Sequence, residues 1–148
     1  APDPSTALAA MAQSGVLGTL LPGTDIRFAL LMIHGETMLN VAPDWLGRLV
    51  ALGGRGVCKA LRLSKAEQRQ YDAIRTAAYD GNALLETAFE HGAETAIQAH
   101  LIQSALAEAP PDAAILPILA AAARVFDRDN AVTGWVMPAE TPTEEATQ

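Results

Sequence analysis

The chain has 148 residues, half of them hydrophobic but only 5% aromatic, and seventeen acids against ten Lys and Arg give a net charge of −7. That length suits one domain with a sizeable core, and the alanine- and leucine-rich apolar content favours helix packing over a sandwich or barrel, which draws on β-branched and aromatic runs. The single cysteine, Cys58, excludes an internal disulfide and metal ligation by paired thiolates and fits a reducing cytoplasm; no stretch reaches the ~18 apolar residues of a membrane span.

Asp3-Pro4-Ser5 opens a helix through Gln13, with a capping side chain before proline in the first turn, and Gly15 ends it. The chain shows no secretory leader and reads as part of a longer protein. Leu20-Leu21-Pro22-Gly23 reads as a turn. Thr24 is placed to cap a helix to about Leu39, with Ile26, Leu30 and Ile33 on one apolar face; His34-Gly35 weakens it midway. Pro43-Asp44 starts a helix with Leu46, Leu49 and Val50 inward, broken by Gly53-Gly54 and Gly56. A helical turn follows from Val57 to Leu61.

Ser64 and Glu67 form a capping box, in which two orphan amides at a helix start are satisfied reciprocally. The helix they start runs to Tyr79 and ends at Asp80-Gly81. Asn82 is placed to cap the next, with Leu84, Leu85, Ala88 and Phe89 inward and a stop at His91-Gly92. Another runs from Ala93 to Ala109, with Ile97, Leu101, Ala105 and Leu106 in register. Pro110-Pro111-Asp112 separates it from a last helix to about Phe126, which Pro117 either starts or kinks. The prediction is an all-α, irregular array of about six to eight short helices over residues 1–127. Residues 128–148 read as an acidic, proline-bearing, partly disordered tail in which Trp135-Val136-Met137 is the segment able to dock.

Charge is distributed unevenly. Between Arg48 and Tyr79, seven bases (Arg48, Arg55, Lys59, Arg62, Lys65, Arg69 and Arg75) face two acids, Glu67 and Asp72; elsewhere three bases face fifteen acids. A basic island in an acidic chain is either the footprint of a polyanion or a solvated helix face. Lys65 and Arg69, four apart on a helix, are neighbours. Arg62 stands just before that helix's N-terminus, which is itself attractive to phosphate. Arg75 falls on another face, within reach of Asp72 or Asp80.

Catalytic constellations are missing. Asp127-Arg128-Asp129 is the only Asp-x-Asp and follows no strand, so it reads as a solvated helix end rather than a magnesium site. Gly53-Gly54-Arg55-Gly56 lacks the lysine and Ser/Thr of a phosphate loop and reads as a helix break. His34, His91 and His100 are too scattered for a metal triad, and His91 at a helix end complements the dipole. Bases around Cys58 could lower its pKa, but with no histidine paired to it a small buried hydrophobe is the simpler reading. Tyr71 and Tyr79 read as core-edge packing. On these grounds the chain by itself lacks the catalytic carboxylates of an enzyme.

Three phrases in order resemble the helical C-terminal region of bacterial class II tRNA nucleotidyltransferases, the CCA-adding enzymes, and the related poly(A) polymerases. Met11-Ala12-Gln13-Ser14-Gly15-Val16-Leu17 with Leu20-Leu21-Pro22 resembles the family's post-neck segment. Pro43-Asp44-Trp45-Leu46-Gly47-Arg48-Leu49 resembles its Pro-Asp-x-Leu-x-Arg-Leu helix, and Leu61-Arg62-Leu63-Ser64-Lys65-Ala66-Glu67 is similar to its Leu-Arg-Leu-Ser-x-x-Glu element. The likeness covers Ala1 to Glu67 and extends loosely to His100. It departs at the tail, where Trp135-Val136-Met137-Pro138 replaces the family's Pro-x-Phe-Pro-Leu-x-Gly.

The resemblance implies a body that positions the acceptor and TΨC arms of tRNA for 3′-end nucleotide addition. The head carrying paired aspartates and most of the nucleotide-selecting neck would precede Ala1. Magnesium and CTP or ATP would belong to that head and neck, which would be this region's own partner, and no catalytic residue carries over. RNA held by its phosphates needs spaced cations, and the candidates are Arg62, Lys65 and Arg69, with Arg55 and Lys59. The alternative is a stand-alone helical protein–protein module in which the basic island is incidental.

Overall fold

The computed structural model describes residues 3–81 and 83–125. Those residues fold into nine helices: α1 Ser5–Gln13, α2 Val16–Leu20, α3 Ile26–Leu39, α4 Trp45–Leu52, α5 Val57–Ala60, α6 Lys65–Tyr79, α7 Leu84–His91, α8 Ala93–Leu106 and α9 Ile115–Val125. The fold is all-α. Among the described residues there is no strand, only a lone antiparallel bridge between Thr24 and Gly53.

Helix α8 is the centre, packed on by α3, α4, α6, α7 and α9. It buries Thr95, Ala96, Gln98, Ala99, Leu101, Ile102 and Ala105, a broad face that leaves His100 and Ser104 on the partly exposed side. The main core gathers Met32, Val50, Ile74, Leu101 and Ile102 from four helices, each large side chain contributing about 1.5–3 kcal/mol by its burial. A smaller cluster of Ala88, Ala96 and Leu119 joins α7 and α9 to α8.

Local signals place most helix ends. Asp44 accepts from the Leu46 and Gly47 amides at the start of α4. Ser64 and Glu67 make both bonds of the capping box, and Asp80 ends α6. Pro117 is the third residue of α9, in the first turn, where its missing N–H has no helical partner to lose. Leu46, Leu49 and Val50 are buried as the spacing requires.

Other expectations are corrected. Asp25, not Thr24, caps α3 by accepting from the Arg27 amide; the Asp25 amide itself bonds the Leu52 carbonyl, and that long-range tie sets where the helix starts. α3 runs unbroken through Gly35, because the glycine lets α8 come close: a Cβ there would lie 3.0 Å from Leu101 Cδ2 and 3.4 Å from Pro111 Cγ. α2 is an additional short helix. Leu85 and Phe89 face outward, each 51% exposed, while Thr87 is buried beside Ala88; the Thr87 hydroxyl turns inward by bonding the Ala83 carbonyl. α8 stops at Leu106, where Glu108 takes a left-handed conformation and the Ala109 amide returns to the Ser104 carbonyl. α7 is preceded by Ala83 with no side-chain cap. Asn82, Asp127-Arg128-Asp129, Trp135-Val136-Met137 and the proposed boundary at residue 127 lie outside the described residues.

Candidate nucleic-acid interface

The basic stretch divides. Arg48 leaves the exposed set: its Nε and Nη2 both donate to Glu36 Oε2, at 2.9 and 2.6 Å. Glu36 is only 2% exposed, and its other oxygen accepts from the Asp44 amide at 3.4 Å. Arg48 therefore ties α4 to α3 from inside. A buried pair of this kind gives little net stability against an apolar replacement but is costly to break on one side. The Pro-Asp-x-Leu-x-Arg-Leu phrase is thereby explained residue by residue: Asp44 caps, Leu46 enters the core and Arg48 fastens the helix.

Arg55, Lys59, Arg62, Lys65, Arg69 and Arg75 are all exposed, and none makes an ion pair with a described residue. Arg75 thus does not pair with Asp72 or Asp80. Arg55 is anchored by its amide to the Pro22 carbonyl at 2.9 Å. The loop around it needs glycine: Gly54 has φ 109°, and a Cβ there would meet Thr24 Cγ2 at 3.0 Å and Val57 Cγ2 at 3.2 Å. The glycine-rich run is the helix break the sequence suggests. Lys59 rides on α5. Arg62 follows it with φ 53°, a left-handed state that costs a side-chain-bearing residue about 1 kcal/mol or more. Lys65 opens α6, and Arg69 lies one turn on.

The start of α6 is less open to an anion than the sequence suggests. Glu67 already occupies it, its carboxylate accepting from the Ser64 amide at 2.7 Å. Hydrogen bonds from Ser64 hold the Glu67 carboxyl below its ordinary pKa, so a negative charge stands where a phosphate would sit. Any attraction for a polyanion must come from the neighbouring cations.

Arg69 borders a different surface. With Gln70, Asp72 and Thr76 of α6 it lines a groove of about 900 Å³ whose other wall carries Glu86, Glu90, His91 and Glu94. Four carboxyl-bearing residues share the lining of that groove with the one guanidinium. The groove repels phosphate, so Arg55, Lys59, Arg62 and Lys65 form the cleaner positive set. The acidic wall had a signal in the sequence: Glu86, Glu90 and Glu94 recur every fourth residue across the break at Gly92.

Cys58 is half-buried and free, and burial together with the Asp72 charge raises its pKa. Nearby bases do not activate it. Tyr71 is buried, and Tyr79 donates from its hydroxyl to the Val50 carbonyl at 3.4 Å; burial raises the pKa of both. The Tyr71 ring is covered, whereas Tyr79 is 45% exposed with its hydroxyl tied to α4. His91 ends α7, 3.7 Å from Glu90 Oε2. Among the described residues no group of His, Cys, Asp and Glu is arranged to hold a metal ion, and no helix is long and apolar enough to cross a membrane.

No family model, curated protein or solved structure matches the chain.

Proposed function

We propose that the chain is the tRNA-positioning helical region of a nucleotidyltransferase of the CCA-adding or poly(A) polymerase kind, acting in the cytoplasm. The observation that carries this reading is the run Arg55, Lys59, Arg62 and Lys65: exposed cations on one short segment, without a carboxylate partner among the described residues, in a chain of net charge −7. Spaced cations without base-reading geometry suit the phosphates of A-form RNA. The all-helical fold and the ordered phrases of the first half support the same reading. Catalysis, magnesium and CTP or ATP would belong to a separate head and neck, with this region holding the acceptor and TΨC arms.

The test is tRNA binding by the 148-residue chain across a salt series. The expected result is an affinity that falls steeply with salt, and its abolition by Lys59→Glu, Arg62→Glu and Lys65→Glu together, with the helical fold intact by circular dichroism. Binding untouched by the triple reversal would overturn the reading. The second reading, a protein–protein module, draws on the exposed Leu20, Leu85 and Ile118; it is favoured if the chain binds no tRNA at any salt.

A further inference from the structure

Three side-chain-bearing residues among those described hold positive φ: Asn40 at 52°, Arg62 at 53° and Glu108 at 51°. Each follows the end of a helix, where glycine makes the same closure without strain. Asn40 is a residue type that tolerates this state. The Glu108 carboxylate reaches Arg27 Nη1 at 3.3 Å, so its side chain is used by the fold. Arg62 has no such use. Its contribution to the closure of α5 is made by backbone alone: its amide bonds the Lys59 carbonyl at 3.2 Å, and the next amide, of Leu63, returns to Cys58 at 2.9 Å.

The Arg62 side chain is exposed and pairs with no described carboxylate. Glu67, the nearest acid along the chain, is already engaged with Ser64. The backbone at this position would be better served by glycine, and no described contact uses the guanidinium.

We infer that Arg62 is the anchoring contact to an RNA backbone phosphate, kept for its charge against the preference of the fold. This rests on the tRNA reading above and narrows it to one residue. A planar guanidinium grips a phosphate through two parallel N–H donors. Lys59 and Lys65 flank it in sequence and supply the diffuse attraction around that grip.

The variants Arg62→Gly and Arg62→Lys separate the two roles. In Arg62→Gly the strain is relieved and the charge lost: the melting temperature rises by about 3 °C, tRNA affinity at low salt falls about tenfold, and the slope of log affinity against log salt shrinks by about one. Arg62→Lys keeps both strain and charge but loses the paired donors, so its melting temperature and salt slope are unchanged while its affinity falls about threefold. Wild-type affinity and slope in Arg62→Gly would overturn the inference and leave the tRNA reading standing, as would a lower melting temperature, which would mean that the side chain serves the fold. A wild-type chain that binds no tRNA overturns both.

Discussion

Arg48 and Arg62 belong to one basic stretch of sequence, yet the fold uses them in opposite ways. Arg48 is fastened to Glu36, whose carboxylate is almost fully buried; Arg62 is exposed, strained and unpaired with any described carboxylate. Charge counted along a chain thus mixes cations that hold helices together with cations free to meet a ligand. The distinction can be forced into the open by removing one partner at a time. Arg48→Ala leaves Glu36 charged in the interior, and we expect a loss of about 3–5 kcal/mol in urea unfolding. Glu36→Leu combined with Arg48→Met removes both charges and should stay within about 1 kcal/mol of wild type. Reversal at Arg62 and Lys65 should change stability by no more than about 0.5 kcal/mol. A cost at Arg48 as small as at the exposed pair would erase the contrast.

The Arg48 side of the comparison also depends on packing. Gly47, next to it, lets α4 lie against α8: a Cβ there would come 2.5 Å from Gln98 Oε1 and 2.8 Å from Met32 Cε. Met32 is fully buried and Gln98 is 4% exposed, so neither side chain can swing into water. Gln98 Oε1 is also the one buried side-chain polar atom without a partner among the described residues; it rests on the glycine instead of on a donor. Gly47→Ala gains helix propensity of about 1 kcal/mol but overpacks the junction by about 1–3 kcal/mol. The expected net effect is a loss of about 1 kcal/mol in urea unfolding. Gln98→Ala in the same chain should recover most of it; an additive double mutant would show that the two residues do not meet.

What the sequence reveals and what it conceals follows from the range of the interactions. Asp44, Ser64, Glu67 and Asp80 act within four residues of themselves, so the ends they set are readable from spacing alone. The inward face of α4 is readable for the same reason. Asp25 displaces Thr24 as a cap because its own amide is held by Leu52, and Gly35 is harmless because Leu101 and Pro111 close over it. Neither partner is near in the chain. Leu85 and Phe89 have the spacing of a core face, but α7 is short and its buried side is chosen by α8 and α9. The five site candidates are all exposed, as a binding role requires. Sequence spacing correctly made Lys65 and Arg69 neighbours, but could not reveal that the far wall beside Arg69 is acidic, since that wall comes from α7 and α8.

A third kind of charge placement sharpens the comparison, because it can be switched by pH. His100 is half-buried on α8, and its Nε2 accepts a hydrogen bond from the Asp112 amide at 3.0 Å, pinning the Pro110-Pro111 segment that leads to α9. Only the neutral ring can accept there. Burial lowers the His100 pKa, against the opposing charge of Asp112. A folded pKa below the ordinary value near 6.5 means that the unfolded chain binds the proton more readily, so stability rises with pH across that window. The contribution is complete above about pH 6.5 and is lost as pH falls through the lowered folded value. Acid should therefore loosen the α8–α9 connection first, read as faster amide exchange at Asp112 and Ala114 before global unfolding. His100→Ala removes the acceptor, costs about 1 kcal/mol at neutral pH and should flatten this part of the stability–pH curve. A curve in His100→Ala as steep as in wild type would assign the acid sensitivity to another group.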